Sequence, residues 1–175
     1  MAKITFILGG ARSGKSNYAL ELAKKHKGKI AFIATCQPFD AEMKQRIAWH
    51  KKIRPSDWQC FEEYQDITAL LQRVSNKFDL VIIDCLTLLV TNLMLAGESQ
   101  KSIEKIISRL LLKLKNIKAR SILVSNEVGL GIVPVNKLGR DFRDIAGKVN
   151  QLAAKNAGEV FFMVSGIPWR IKCKK

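Results

Sequence analysis

The sequence predicts an α/β fold: one mostly parallel sheet with helices on both faces and an antiparallel edge. Three observations carry that prediction. Short apolar, β-prone runs alternate with segments of helical period along the chain. The first run opens into Gly9-Gly10-Ala11-Arg12-Ser13-Gly14-Lys15-Ser16, a G-x-x-x-x-G-K-S pattern with a helical segment behind it. A later run, residues 78–84, has an apolar centre and ends on Asp84, as a buried parallel strand does when it delivers a carboxylate to its C-terminal edge. At 175 residues the chain suits one domain, 1–175, with a full core.

Residues 4–8 read as the first strand and 17–25 as the first helix, which Gly28 ends. Residues 29–34 are the second strand, and 35–39 a loop. Asp40 then N-caps a helix to about Lys52, stopped at Arg54-Pro55 because the residue before a proline disfavours helical backbone. Residues 58–61 form a short strand. Residues 66–74 form a helix with Ile67, Leu70, Leu71 and Val74 on one face. After the strand 78–84, residues 86–96 read as a helix that is apolar on more than one side, suited to burial between elements or between subunits; Gly97 breaks it. Residues 103–115 are an amphipathic helix. Residues 119–125 are a strand leading to Asn126-Glu127. The glycines and proline of 128–134 exclude regular structure and suggest a shaped loop beside the ligand. A helix follows over about 136–157, with Arg140, Arg143 and Asp144 in its first half. A strand at 159–164, a turn at 165–168 and an edge strand or hairpin at 169–173 complete the chain.

The glycines of the loop allow backbone N–H groups to turn inward as an anion nest, and the helix N-terminus adds unpaired N–H groups and partial positive charge. Lys15 reaches the outer phosphates of a nucleoside triphosphate, and the Ser16 hydroxyl ligates Mg²⁺. Asp84 is placed to hold the same ion; its other reading is a cap on the following helix. If residues 40–52 are helical, Glu42, Arg46 and His50 stand one turn apart. Arg46, Lys51 and Arg54 surround His50 with positive charge. That favours a neutral, nucleophilic imidazole and holds a polyphosphate against it. A single histidine on a charged helix also reads as an ordinary surface residue. His26, in Lys24-Lys25-His26-Lys27, reads as a solvated helix end.

Composition narrows the class. The best apolar run, 86–96, is broken by Thr87, Thr91 and Asn92, so no membrane insertion is expected. The chain enters a core strand after Met1-Ala2-Lys3, which leaves no room for a signal peptide and points to the cytoplasm. Cys36, Cys60, Cys85 and Cys173 contain no C-x-x-C pair, which argues against zinc and redox motifs and leaves mostly packing thiols. The net charge of +15 suggests either a nucleic-acid partner or a basic surface around a polyanion site. The positive residues are scattered and not interleaved with aromatics, which favours solvated faces and no nucleic acid.

Seven stretches, in one order over nearly the whole chain, carry a resemblance. They are G-G-A-R-S-G-K-S at 9–16, A-T-C-Q-P-F-D-A-E-M at 34–43, R-I-A-W-H-K-K-I-R-P at 46–55 and D-C-L-T-L-L-V-T-N at 84–92. The others are S-N-E-V-G-L-G-I-V-P at 125–134, R-D-F-R-D-I-A-G-K-V-N-Q at 140–151 and V-S-G-I-P at 164–168. Together they resemble the bifunctional adenosylcobinamide kinase/adenosylcobinamide-phosphate guanylyltransferase family of cobalamin biosynthesis. The resemblance implies a P-loop NTPase fold of RecA-like type and two reactions. In the first, ATP or GTP phosphorylates the aminopropanol hydroxyl of adenosylcobinamide. In the second, GTP guanylylates an enzyme histidine, and the GMP passes to adenosylcobinamide phosphate, giving adenosylcobinamide-GDP. By resemblance the guanylylated residue is His50. Nucleotide contacts fall on Gly9, Gly10, Ala11, Arg12, Ser13, Gly14, Lys15 and Ser16, on Ala34, Thr35 and Cys36, on Lys51, Lys52, Ile53 and Arg54, and on Glu62 and Asp84. Ser16 and Asp84 hold Mg²⁺, and the family is a homotrimer. Glu62 and Glu127 are candidates for contacting base, ribose or corrinoid. The chain departs from the family pattern at Leu8, often Thr, and at Trp49 and Lys51, often Arg or His; no reacting group is lost. Rival readings are a P-loop small-molecule kinase with a structural His50, a nucleic-acid-dependent P-loop ATPase and a non-catalytic nucleotide sensor.

Overall fold

The computed structural model describes residues 3–38 and 40–173, apart from the side chains of Arg46 and His50. The order is β1 (Ile4–Gly9), α1 (Lys15–Lys24), β2 (Ile30–Ala34), α2 (Ala41–Lys52), β3 (Gln59–Glu62) and α3 (Ile67–Val74). A 3₁₀ turn, Ser75–Lys77, leads into β4 (Leu80–Asp84), α4 (Leu86–Leu95), α5 (Gln100–Asn116), β5 (Arg120–Asn126), α6 (Lys137–Asn156), β6 (Glu159–Val164) and β7 (Ile167–Cys173). The seven strands form one sheet in the order β3-β2-β4-β5-β1-β6-β7. Every pairing is parallel except β6 with β7. The predicted α/β sheet with an antiparallel edge is therefore the observed one. β5 lies between the glycine-loop strand β1 and the aspartate strand β4, which is the RecA-like order, and both strands end at the same edge of the sheet.

The central strands read as continuous apolar runs because both faces are covered. On one face α3, α4, α5 and α6 pack over Phe6, Ile33, Val81, Ile83 and Leu123. On the other, α1 with Ala19, Leu20 and Ala23, joined by Trp58, packs over Ile7, Phe32, Ile82 and Ile122. Phe6 and Ile7 fall in opposite cores, as the two-residue period of a strand requires. α4 has apolar residues all round because it is buried within the first core through Leu86, Leu89, Val90 and Leu93. Burial inside the chain thus accounts for it without a subunit contact.

The structure moves several predicted boundaries. α1 starts at Lys15, two residues early, because Gly14 caps it with φ 92°, a left-handed conformation in which glycine carries no Cβ penalty. α5 starts at Gln100, where the Ser99 side chain accepts a bond from the Ser102 N–H; the apolar period begins only at Ile103. The last turn contracts to Ser165-Gly166, with φ 50° and 85°, the signature of a two-residue type I′ hairpin. Pro168 falls inside β7, where a proline is tolerated because the strand is an edge. The cysteine expectation needs correcting. No disulfide joins them, and Cys85 is buried, but Cys60 and Cys173 are exposed. Among the described residues no helix is long and apolar enough to cross a membrane.

Candidate active site

The glycine loop leaves β1 at Gly9 and enters α1 at Lys15, pinned between them against the β6–β7 turn. The Gly166 N–H donates to the Ser13 carbonyl at 3.1 Å, and the Ser13 N–H to the Gly10 carbonyl at 3.3 Å. A Cβ on Gly9 would stand 2.6 Å from the Met163 carbonyl oxygen, a backbone atom that cannot step aside. Lys15 is buried; its Nζ folds back to donate to the Gly10 carbonyl at 2.5 Å and the Ser13 hydroxyl at 3.4 Å. Burial pushes its ammonium below the ordinary lysine value, partly opposed by Cys85 and Asp84. The loop therefore contains a desolvated cation for which a phosphate chain would be the natural counter-charge. Cys85 itself is pushed up to about 12, first by burial and then by Asp84, so it stays a thiol and serves as the N-cap of α4.

Asp84 ends β4 and acts electrostatically on both Lys15 and Cys85. The Thr35 N–H donates to the Asp84 carbonyl at 3.1 Å. The Thr35 hydroxyl donates to the Cys85 carbonyl and accepts from the Cys85 N–H, both at 2.8 Å. Asn92, buried on α4, donates to the Thr35 carbonyl at 2.8 Å and the Tyr64 carbonyl at 3.0 Å. The tips of β2, β3 and β4 are thus tied to one amide. Asn92→Ala leaves two backbone acceptors without their donor, one of them at fully buried Thr35. It is expected to cost about 2–4 kcal/mol, read from the midpoint of urea unfolding.

A second cluster lies past the tip of β3. Lys51 Nζ sits 2.6 Å from Glu62 Oε1, and the Tyr64 hydroxyl donates to Glu62 Oε2 at 3.0 Å. The Arg54 guanidinium lies 3.8 Å from the centre of the Phe32 ring, a cation–π contact. The hydrogen bonds from Lys51 and Tyr64 hold the Glu62 carboxyl below its usual range. Its folded value is the lower one, so the pair contributes fully above the ordinary carboxylate range and is lost as pH falls through the depressed value. Both groups are about half exposed, so the contribution is within about 0.5 kcal/mol. Lys51→Ala should be slightly less stable than the parent at neutral pH and indistinguishable from it well below that range, in urea unfolding at several pH values.

The structure brings Gly9, Gly10, Ala11, Arg12, Ser13, Gly14, Lys15 and Ser16 into one loop and places Ala34, Thr35, Cys36 and Asp84 along the same sheet edge. It joins Lys51 to Glu62. Lys52 is exposed, and Ile53 is half-buried against the second core. Ser16 offers a hydroxyl and Asp84 a carboxylate, hard oxygen donors of the kind Mg²⁺ takes. Position 50 falls on α2, one residue before Lys51; the side chains of His50 and Arg46 lie outside the described residues, as does Phe39. None of the described residues of α2 is buried.

Some site features were not foreseen. Glu127 is held in two ways: its N–H donates to the Gly9 carbonyl, and its carboxylate accepts from the Gly129 N–H at 2.8 Å, shaping the loop after β5. Thr87 bonds Ser125 at 3.0 Å and accepts from the Asn126 N–H, while Asn150 donates to the Asn126 carbonyl. Polar residues placed among apolar helical positions, such as Asn92 and Asn150, were the available signal. His26 is corrected: it is half-buried, with a buried Nε2, and is not a solvated helix end.

A glycine loop around a buried lysine, beside a strand-end aspartate on a RecA-like sheet, defines the class: a P-loop nucleotide-binding protein. Comparison with known families makes it particular. The profile described as cobinamide kinase/cobinamide phosphate guanyltransferase matches residues 5–171, and the chain belongs to this family. It is similar to two proteins named bifunctional adenosylcobalamin biosynthesis protein CobU. That of Escherichia coli is 39% identical over 95% of this chain and 98% of its own length. That of Salmonella typhimurium is 40% identical over the same shares. The bifunctional adenosylcobalamin biosynthesis protein CobP of Pseudomonas aeruginosa is 42% identical over 95% of each chain.

Proposed function

We propose that this chain is a bifunctional adenosylcobinamide kinase and adenosylcobinamide-phosphate guanylyltransferase, acting in cobalamin biosynthesis through one nucleotide site. Family membership over residues 5–171 supports both activities. The observation that carries the nucleotide site is Lys15, buried in the glycine loop with no carboxylate bonded to it among the described residues.

In the kinase step the substrate hydroxyl attacks the γ-phosphorus of ATP or GTP, a new P–O bond forms, and the nucleoside diphosphate leaves. Gly9 to Ser16 cradle the phosphates, and Lys15 neutralises charge on the outer ones. In the second reaction a ring nitrogen of His50 attacks the α-phosphorus of GTP. A P–N bond forms, the bond to the β-phosphate breaks, and pyrophosphate leaves. A phosphate oxygen of adenosylcobinamide phosphate then attacks the same phosphorus, the P–N bond breaks, and the neutral imidazole returns. Ala34, Thr35, Cys36, Lys51, Lys52, Ile53, Arg54 and Glu62 serve as contacts to the nucleotide. Ser16 and Asp84 would hold Mg²⁺, which supplies charge neutralisation at the phosphates. The described residues of α2 include none that is buried, which favours this reading because their packing does little to oppose an approach of the helix to the loop.

The whole chain acts as one catalytic domain, a homotrimer located in the cytoplasm, where ATP and GTP are supplied. The trimer rests on the resemblance to the family and is consistent with the exposed apolar residues Ile167, Trp169 and Ile171 on β7. Incubation with adenosylcobinamide and GTP should give the phosphate first and the GDP derivative second. Phosphate that accumulates without further conversion, on a protein that never takes up GMP, would leave the kinase alone.

A further inference from the structure

We propose that the cavity at the edge of the sheet opposite the glycine loop is a second ligand site, for a small phosphate monoester with an apolar body. Arg120, Arg170 and Lys25 hold its phosphate, and Leu22 and Phe161 support the body. The inference goes beyond the function proposed above and does not rest on it. The cavity has a volume of about 400 Å³ and lies among these five residues, His26 and Glu159. Its lining comes from the end of α1, the helix of the second core, and from β5, β6 and β7. The Tyr18 ring meets Phe161 edge-on at 5.2 Å. Arg120 and Glu159 are the first residues of their strands, whereas the glycine loop follows the last residue of β1. Strand rise over that length puts the two sites roughly 20 Å apart. A phosphate bound here is therefore not one bound by Lys15.

Three cations from α1's end, β5 and β7 converge with a single carboxylate, and that carboxylate is already engaged. Glu159 Oε1 lies 3.6 Å from Arg170 Nη1, and Oε2 accepts from the Thr5 hydroxyl at 3.3 Å. Arg120 and Lys25 form no ion pair among the described residues. Arg120 also acts on Lys3, whose ammonium is pushed below its ordinary value by burial first and by Arg120 second. Like charges gathered at one edge gain from an anion between them. His26 lines the same cavity, so its ring reports on an occupant there; its Nε2 is itself buried, with no hydrogen-bond partner among the described residues. Lys25 alone would be explained as a cation complementing the C-terminus of α1. That does not explain two strand arginines at the same cavity. The volume falls within the range of small-molecule sites and exceeds the needs of a bare phosphate, and the half-buried Leu22 and Phe161 give an apolar wall.

The test uses the full chain carrying Lys15→Met, so that the glycine loop does not report on phosphate. Imidazole ¹⁵N resonances are followed during separate titrations with phenyl phosphate and inorganic phosphate, and His26 is assigned by His26→Gln. Phenyl phosphate should shift the His26 resonances saturably at millimolar concentration, and inorganic phosphate should bind more weakly. Arg120→Gln and Arg170→Gln, shown folded by circular dichroism, should each weaken binding on the order of tenfold. No saturable shift, or unchanged affinity in the arginine variants, would overturn the site. Inorganic phosphate binding as tightly as the ester would overturn the assigned ligand class.

Discussion

His50→Ala is expected to abolish GMP incorporation into the protein and to lower formation of the GDP derivative by about 10³-fold or more, as loss of a covalent nucleophile does. Phosphorylation of adenosylcobinamide should stay within a few-fold of the parent, because attack at the γ-phosphorus uses the substrate hydroxyl and not the imidazole. Circular dichroism and the retained kinase activity check that the variant is folded. The two assays, run on one preparation, separate a guanylyl-histidine enzyme from a kinase with a structural histidine. Equal loss of both activities would contradict the assigned role.

Lys15→Met is expected to lower both activities, each by about 10²–10³-fold, since one buried cation serves the phosphate chain in both reactions. Its effect on stability should be unlike that of most buried substitutions. The folded protein desolvates the Lys15 ammonium without giving it a carboxylate bond, so a side chain of similar length and no charge should leave the thermal midpoint of the unliganded protein unchanged or raised. The upward shift of that midpoint with GTP should disappear, because nucleotide stabilises only the form that binds it. A large loss of stability in the unliganded variant would mean that Lys15 is a structural strut holding Gly10 and Ser13.

The glycine loop, the aspartate strand and the parallel sheet were legible because each has a local signature: glycine at fixed spacing, or an apolar run ending on a carboxylate. Gly14 and the Ser99 cap lay in plain sight, but apolar periodicity starts later than the backbone helix, so both helix starts were read late. Asn92 and Asn150 were less legible. Each lies at a position that is buried by helical period, and its value depends on carbonyls at the tips of strands far away in sequence. Lys51 and Glu62 were both named as nucleotide contacts, yet nothing local predicts that they pair. His26 was misread for the same reason. Its neighbours in sequence are lysines, and the strand residues that share its cavity lie more than ninety residues later.

The central claim is that GTP leaves its GMP on one nitrogen of this chain. Protein incubated with GTP, digested under mildly basic conditions and examined by mass spectrometry should yield a GMP adduct on the peptide containing His50. The adduct should be lost on acidification, as a P–N bond is, and discharged by adenosylcobinamide phosphate. An adduct on a serine, lysine or other residue, or a protein that converts adenosylcobinamide phosphate with no covalent GMP at any time, would contradict it.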